Sequence, residues 1–185
     1  MTMSFSVAPG FLLAMPSLID PNFFRSVVLM CSHSAEGAFG LVINQPSEVT
    51  MEAVCEEAEL DWSGSAEAVA YSGGPVERAR GWVVHTPVES VSETEILTDG
   101  LMLSASRDAL AAYGLDPEAR FKLFLGYAGW GPQQLDHEIQ QGSWLTAPLS
   151  IDLLFDTQPH LMWRKALELV GVDPAHLVDG NTRLN

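Results

Sequence analysis

Basic residues are scarce in this sequence and unevenly placed. Nine Lys and Arg residues stand against 24 Asp and Glu residues in 185 positions, a formal net charge of −15. No Lys or Arg lies between Arg25 and Arg78. That stretch includes the acidic residues Glu48, Glu52, Glu56, Glu57, Glu59, Asp61 and Glu67. A protein that contacts nucleic acid directly needs cations to neutralise the phosphates, so direct DNA or RNA binding is disfavoured.

Cysteines and long apolar runs are also few. Cys31 and Cys55 are the only cysteines, too few for a disulfide scaffold or a cysteine-based zinc cluster. No run approaches the roughly 18 consecutive apolar residues of a transmembrane helix. The segment before Phe11 lacks the basic and apolar regions of a signal peptide. We therefore expect a cytoplasmic protein that makes no membrane contact.

Patterns for catalysis and metal binding are missing as well. The five histidines show no paired spacing, and Asp136, His137 and Glu138 are consecutive on a predicted helix, where side chains point about 100° apart. There is no Gly-x-Ser-x-Gly motif. Cys31 lies in an apolar run, and glutamates around Cys55 oppose its ionisation. We expect no metal and no cofactor, no catalytic residue is identified, and an enzyme is disfavoured.

Hydrophobic residues make up 47% of the chain, enough for a stable core, and they fall into short segments. We predict strands at 10–15, 26–32, 38–44, 68–72, 81–86, 100–105, 121–127 and 143–147. We predict helices after Thr50, after Ser106, at 132–141 and at 158–170. Because strands do not alternate strictly with helices, the class is α+β with mixed or antiparallel sheets and three to four helices. Residues 1–172 are predicted to form one domain, and 173–185 a loosely ordered tail.

An ordered set of segments along most of the chain resembles the YqgE/AlgH family of bacterial proteins. The segments are Gly10-Phe11-Leu12-Leu13-Ala14, Phe24-Arg25-Ser26-Val27-Val28, Gly37-Ala38-Phe39-Gly40-Leu41-Val42-Ile43-Asn44, Gly73-Gly74-Pro75-Val76, Gly126-Tyr127-Ala128-Gly129-Trp130, Gln134-Leu135, Glu138 and Trp144-Leu145. The resemblance implies one α+β domain with two packed sheets and flanking helices. One branch of the family is named a putative transcriptional regulator, and the family supplies no catalytic residue.

The sequence departs from the family pattern at two positions. Gln133 stands where relatives often have Gly, and Asp136 stands where they often have Glu. A role in which that glycine lets the backbone approach a ligand closely is therefore in doubt for this chain.

The strongest local candidate for a site is the segment from Gly126 to Pro132, interpreted as a glycine-rich loop that enters the helix at 132–141. Bare N–H groups and the helix N-terminus could hold a phosphate or carboxylate of a small ligand. The alternative is that Gly126 and Gly129 allow tight packing around Trp130, and the missing P-loop lysine favours it.

Other polar residues extend this candidate ligand site. Gln134 and Glu138 are four residues apart and share one helix face, which is also an ordinary solvated arrangement. Asn44 ends an apolar strand and could contact a ligand or fix the following turn through its amide. The turn containing Gly73 and Gly74 could be a ligand loop or a hairpin connection. The candidate ligand-binding residues are Asn44, Gly73, Gly74, Gly129, Trp130, Gln134 and Glu138.

The acidic charge and the missing catalytic pattern favour a non-catalytic regulatory or binding domain that acts through protein partners. The alternative is a protein or enzyme that binds a small anionic ligand at the glycine-rich segment. Direct DNA binding is the least favoured of the three.

Overall fold

The computed structural model describes residues 5–87, 91, 93–114 and 120–177. Its strands are β1 (Gly10–Ala14), β2 (Val27–Ser34), β3 (Gly37–Val42), β4 (Pro46–Thr50), β5 (Val69–Ser72), β6 (Val76–His85), β7 (Thr94–Thr98), β8 (Leu101–Ser104), β9 (Phe121–Trp130) and β10 (Trp144–Ala147). Its α-helices are α1 (Met51–Glu57), α2 (Arg107–Gly114), α3 (Gln134–Gln140), α4 (Ile151–Asp156) and α5 (Pro159–Leu169), and Pro21–Phe23 and Pro174–Leu177 form 3-10 turns. The predicted α+β class is confirmed.

The chain divides into two compact units, the first formed by residues up to Asn44 and from Ala128 onward, the second by Gln45–Tyr127. In the first unit β10, β1, β2, β3 and the end of β9 pair in that order, all antiparallel. Strand β1 and the first five residues of β2 are apolar and buried on both faces of the sheet, whereas β2 ends in the less buried Ser32-His33-Ser34. One core cluster of this unit includes Leu12, Val28, Met30, Val42, Trp130, Leu135 and Trp144.

In the second unit the earlier part of β9 is central. Strand β5 pairs parallel to it on one side and β6 antiparallel on the other. Strands β8 and β7 follow outside β6, and β4 pairs with β5. The apolar faces of α1 and α2 pack with this sheet in a cluster that includes Met51, Cys55, Ala70, Val83, Ala109, Leu110, Tyr113 and Leu123.

Local sequence signals set several helix ends. The predicted cap at Thr50 is confirmed, since its hydroxyl accepts a hydrogen bond from the Ala53 N–H at 3.2 Å. Gly142 has φ +78 and ends α3, as predicted. The Gly142 N–H donates to the Ile139 carbonyl and the Ser143 N–H to the Glu138 carbonyl, each at 3.0 Å. This pair of bonds is a Schellman motif, which satisfies carbonyls left over at the helix end.

The predicted pairing of 26–32 with 38–44 is confirmed as the β2–β3 hairpin. Five α-helices are present among the described residues, rather than three to four. The additional helix α4 begins after Ser150, whose hydroxyl accepts from the Leu153 N–H. Its six residues are too few to show a helical repeat of apolar residues in the sequence. Strands β4 and β7 were also not predicted.

The prediction that Gly126–Pro132 forms a loop is wrong for most of that segment. Strand β9 continues to Trp130, because Ala128, Gly129 and Trp130 pair with Gly40, Phe39 and Ala38 of β3. Glycine has low strand preference, so the local sequence resembles a loop, and the pairing partner decides the structure. Helix α3 then begins at Gln134, and Pro132 is not its first residue. The predicted tail includes residues 178–185, which lie outside the described residues.

Candidate functional site

The Glu138 side chain is the centre of a polar cluster in the first unit. Its Oε2 accepts hydrogen bonds from Trp130 Nε1 at 2.9 Å and from Trp144 Nε1 at 2.8 Å. Its Oε1 accepts one from Gln134 Nε2 at 3.0 Å. Trp130 ends β9, Trp144 begins β10, and the other two residues lie one turn apart on α3. The structure therefore brings together Trp130, Gln134 and Glu138, as the predicted site requires, and adds Trp144.

The groups of this Glu138 cluster already have partners within the fold. The Gln134 Oε1 accepts the Gly131 N–H at 3.0 Å, so both ends of the Gln134 amide are used. That bond takes one of the backbone donors at the start of α3, which is seven residues long. Gly129 is paired with Phe39 in the sheet. The Glu138 carboxylate therefore connects β9, β10 and α3. Hydrogen bonds to a charged group are stronger than those between neutral groups, so these contacts stabilise the arrangement.

The two indole rings of the cluster are buried against a third aromatic ring. Trp130 is 7% exposed and Trp144 3% exposed. Phe23 lies 6.5 Å from the Trp130 ring and 5.4 Å from the Trp144 ring, measured between centroids. Buried indole N–H groups need an acceptor, and Glu138 provides it for both rings. Trp130 is thus a packed residue, as the packing interpretation of this segment predicts.

Asn44 makes two hydrogen bonds to backbone groups at the start of β2. Its Oδ1 accepts from the Val27 N–H and its Nδ2 donates to the Arg25 carbonyl, each at 2.9 Å. A short amide can mimic a peptide unit in this way and connect two chain segments. The residue therefore fixes the turn around Arg25, which precedes it in the chain, and these two bonds are not to the following turn that the sequence suggested.

Gly73 and Gly74 belong to the second unit, where they allow close backbone contact. The Gly73 N–H donates to the Leu125 carbonyl at 2.8 Å, and a Cβ on Gly73 would lie 2.4 Å from the Gly126 carbonyl oxygen. A Cβ on Gly126 would likewise lie 2.5 Å from the Gly74 carbonyl oxygen. The hairpin interpretation of this turn is wrong, because β5 and β6 lie on opposite sides of β9 and do not pair with each other.

A surface feature of the first unit was not predicted from sequence. Residues 16–26, named loop 16–26 below, connect β1 to β2 and present two large apolar side chains to solvent. Ile19 is 91% exposed and Phe24 is 70% exposed. The predicted strands at 10–15 and 26–32 leave this segment as a connection without a role. The available signal was its two apolar pairs, Leu18-Ile19 and Phe23-Phe24, because only some of four apolar side chains in a short connection can be buried.

The backbone of loop 16–26 is fixed by local hydrogen bonds. The Asp20 carboxylate accepts from the Asn22 N–H at 2.9 Å, and the Phe23 N–H donates to the Asp20 carbonyl at 3.0 Å. The Ser26 N–H donates to the Phe23 carbonyl at 3.0 Å. These bonds form a capped 3-10 turn, with Pro21 in its first positions.

Residues of the predicted ligand site support this loop near its junction with β2. Phe23 is anchored by the indoles of the Glu138 cluster, and Asn44 holds the Arg25 carbonyl. Arg25 has φ +49, and its guanidinium carbon lies 5.3 Å from the Phe24 ring and 5.3 Å from the Trp163 ring. Cation–π attraction between Arg25 and these rings limits the positions that the exposed Phe24 ring can take.

The described residues contain neither a metal-ligand cluster nor a helix that could span a membrane. Within residues 5–87, 91, 93–114 and 120–177, no group of three or more His, Cys, Asp or Glu side chains is placed to hold a metal ion. In the same part of the chain, every helix is too short or too polar to cross a membrane. The arrangement around Glu138 offers hydrogen bonding and packing, and no nucleophile or proton-transfer pair lies in it.

Comparison with known proteins places the chain in a family. The family model described as AlgH-like matches residues 11–175. A UPF0301 protein of Myxococcus xanthus is 45% identical over 176 residues, which cover 95% of this chain and 97% of that protein. A UPF0301 protein of Thioalkalivibrio sulfidiphilus is 41% identical over 175 residues, covering 94% of each.

Solved structures show the same fold. The solution structure of the AlgH protein from Pseudomonas aeruginosa matches with a TM-score of 0.77 and 36% identity over the whole of both chains. A crystal structure of a Corynebacterium diphtheriae protein matches with a TM-score of 0.70 at 23% identity, over 91% of this chain and 89% of that one. The family match over residues 11–175 and the high identities agree with the resemblance seen in the sequence, and the chain belongs to the AlgH-like family.

Proposed function

We propose that this chain is a cytoplasmic, non-catalytic binding domain that docks a protein partner through loop 16–26. The observation that carries the proposal is the exposure of Ile19 and Phe24 on a backbone that is held in place by local hydrogen bonds, by Asn44 and by the packing of Phe23. Binding to a partner would be the regulatory step, with no chemical conversion by this chain.

The energetics of this loop favour docking. Full burial of an Ile or Phe side chain is worth about 1.5–3 kcal/mol, so two such residues can supply much of the affinity of a micromolar complex. Because hydrogen bonds and Phe23 already order the loop, little conformational entropy is lost on binding. Arg25 lies beside Phe24, and Arg and aromatic residues are the side chains that most often carry binding energy in interfaces.

The net charge of the chain indicates the charge of the partner that we propose. A net charge of −15 repels acidic surfaces and attracts basic ones. The partner proposed is therefore a basic protein with an apolar pocket that accepts Ile19 and Phe24. Complementary charge of this kind speeds association and makes the complex weaker as salt rises.

The polar residues nominated from sequence fit this role through support of the loop. Glu138, Gln134 and Asn44 have their hydrogen-bonding groups engaged inside the first unit. The Gly131 N–H, one of the backbone donors of the glycine-rich segment, donates to Gln134 Oε1. These contacts support a scaffold for the loop in preference to a small-ligand site.

The test compares three forms of the protein. The first is the wild type, the second carries Ile19→Ser and Phe24→Ser, and the third carries Leu169→Ser, an exposed apolar residue of α5 that serves as the matched control. A photo-reactive phenylalanine analogue at position 24 captures the partner in the host cell, and titration then gives the dissociation constant for each form. We expect the double variant to bind at least about 30-fold more weakly, which corresponds to about 2 kcal/mol. The control variant is expected to bind like the wild type.

Three results would reject the proposal. The first is equal binding by all three forms. The second is a captured partner with an acidic surface. The third is cross-linking of position 24 only to another copy of the same chain, with a concentration-dependent mass in light scattering, which would assign the loop to self-association.

A further inference from the structure

A chain of largely buried polar side chains lies in the second unit. His85 on β6 and Ser104 on β8 are 0% exposed, and Tyr113 on α2 is 1% exposed. His85 Nε2 lies 2.7 Å from Ser104 Oγ, and Ser104 Oγ lies 2.8 Å from Thr94 Oγ1. The Tyr113 hydroxyl contacts His85 Nδ1 on the other side of the ring. Four side chains from four elements thus form one line of hydrogen bonds.

The direction of one bond determines the direction of the others. The Thr94 hydroxyl donates to the Val91 carbonyl at 3.0 Å, so its proton is used. Ser104 must then donate to Thr94, and His85 Nε2 must donate to Ser104, since each hydroxyl has one proton to give. This leaves His85 Nδ1 as an acceptor, which the Tyr113 hydroxyl satisfies. We infer that the neutral ring carries its proton on Nε2, because this tautomer supplies a proton to every bond from Tyr113 to Val91 and leaves only the 3.0 Å contact between Nδ1 and the Thr86 carbonyl without one.

A second acceptor lies beside Nδ1. The Thr86 carbonyl oxygen is 3.0 Å from His85 Nδ1 and 3.3 Å from the Tyr113 hydroxyl oxygen. A proton gained at Nδ1 would therefore meet the Thr86 carbonyl, and the Tyr113 hydroxyl could turn from Nδ1 to the same carbonyl. A carbonyl oxygen has two lone pairs, so it can accept both bonds. The charged ring would be fully hydrogen-bonded without movement of the backbone.

We propose that Tyr113, His85, Ser104 and Thr94 form a proton-responsive relay, in which the Tyr113 hydroxyl donates to His85 Nδ1 when the ring is neutral and to the Thr86 carbonyl when the ring is protonated. The relay connects α2, through Tyr113, to three strands of the second unit. Protonation changes which strand group Tyr113 bonds, so the attachment of α2 to the sheet depends on pH.

The surroundings of the ring support this two-state behaviour. Burial lowers the pKa of His85, and the hydrogen bond with the Thr86 carbonyl opposes that change in part. Burial raises the pKa of Tyr113 to about 12, so its hydroxyl stays protonated and can donate. Cys55 of α1 lies in the same core cluster, where burial raises the pKa of its thiol. Among the described residues, the polar contacts of the ring are with Tyr113, Thr86 and Ser104, and none is with a carboxylate or a cation.

Nitrogen-15 NMR of the histidine rings tests the relay directly. In the wild type at pH 8 we expect His85 to be neutral with the proton on Nε2, and to gain a proton at Nδ1 with a midpoint below about 6.5. In Tyr113→Phe, Nδ1 loses its donor, so the neutral ring is expected to move its proton to Nδ1 and bond the Thr86 carbonyl. The midpoint is expected to rise, because Tyr113 no longer stabilises the neutral form.

Two further variants keep the test decisive. Thr94→Val removes the acceptor for Ser104, so Ser104 donates to His85 Nε2 and the ring proton again moves to Nδ1. Tyr71→Phe is the control, a tyrosine of β5 in the same unit that has no bond to the ring, and it is expected to leave the His85 spectrum unchanged. A wild-type ring with its proton on Nδ1 at pH 8 would overturn the relay. So would an Nε2-protonated ring with an unchanged midpoint in both Tyr113→Phe and Thr94→Val.

Discussion

At the scale of single residues, the polar side chains singled out from the sequence have structural partners. Glu138 accepts from two indoles and one amide, and Asn44 replaces a peptide unit between β3 and β2. Residue type and spacing correctly placed Gln134 and Glu138 on one helix face. The sequence could not show that two tryptophans 14 positions apart donate to the same carboxylate oxygen, because that depends on the pairing of β9 and β10 with other strands.

Glu138→Gln tests the carboxylate as the common acceptor of the two indoles. The change keeps the size of the side chain and removes its charge, and it places an NH₂ group where one of the donors now points. We expect a loss of about 2–3 kcal/mol in the free energy of unfolding, since hydrogen bonds to charged groups contribute about 1.5–3 kcal/mol. Glu168→Gln, on the exposed face of α5, is the control and is expected to change stability by less than about 0.5 kcal/mol. Denaturant unfolding measures both, and equal stability of the two variants would contradict the assignment.

At the scale of elements, the helices were predicted better than the glycine-containing strand. Helices α1, α2, α3 and α5 show apolar spacing in the sequence, and each was predicted near its observed position. Strand β9 contains Gly126 and Gly129, and its final part was assigned to a loop because glycine gives no local preference for a strand. Gly126 is required there because φ is +77 and neighbouring backbone leaves no room for a Cβ.

A matched pair of substitutions distinguishes two reasons why a position requires glycine, namely a left-handed backbone and a lack of room for a Cβ atom. Gly142 has φ +78 and no atom within 4 Å of a Cβ built on it, so Gly142→Ala costs only the strain of the left-handed backbone, about 1–2 kcal/mol. Gly126→Ala adds a clash with the Gly74 carbonyl oxygen, at 2.5 Å from the new Cβ. We expect the second variant to lose clearly more stability than the first in denaturant unfolding. Similar losses in both would show that the backbone around Gly126 can move apart.

At the scale of the whole molecule, the charge and the buried histidine determine how the protein responds to its solution. The net charge of −15 was read directly from the sequence and defines the proposed partner as basic. The pH dependence of stability depends on which histidine is buried. The sequence contains five histidines and gives no sign of which of them is buried. In the structure His85 is buried, and burial lowers its pKa.

The sign of the pH effect follows from that shift. Above about pH 6.5 the His85 ring is neutral in both folded and unfolded chains, so it adds no pH dependence. As the pH falls below about 6.5, the unfolded chain takes up the proton first, because the folded pKa is lower, and stability decreases. We expect the unfolding free energy of the wild type to fall more steeply between pH 7 and 5.5 than that of His85→Gln. Denaturant unfolding at several pH values measures the two slopes, and parallel curves would contradict the prediction.

The sequence alone determined the family, the α+β class, the acidic charge and most helix positions, because these depend on composition, ordered motifs and local periodicity. Only the tertiary structure decided that the strand predicted at 121–127 continues to Trp130, and that Glu138 joins two indoles. It also decided that Ile19 and Phe24 are exposed and that His85 lies in a largely buried line of hydrogen bonds. Each of these depends on contacts between residues far apart in the chain. Local preference contains no information about such partners, and the free energy of their packing and pairing selects the final arrangement.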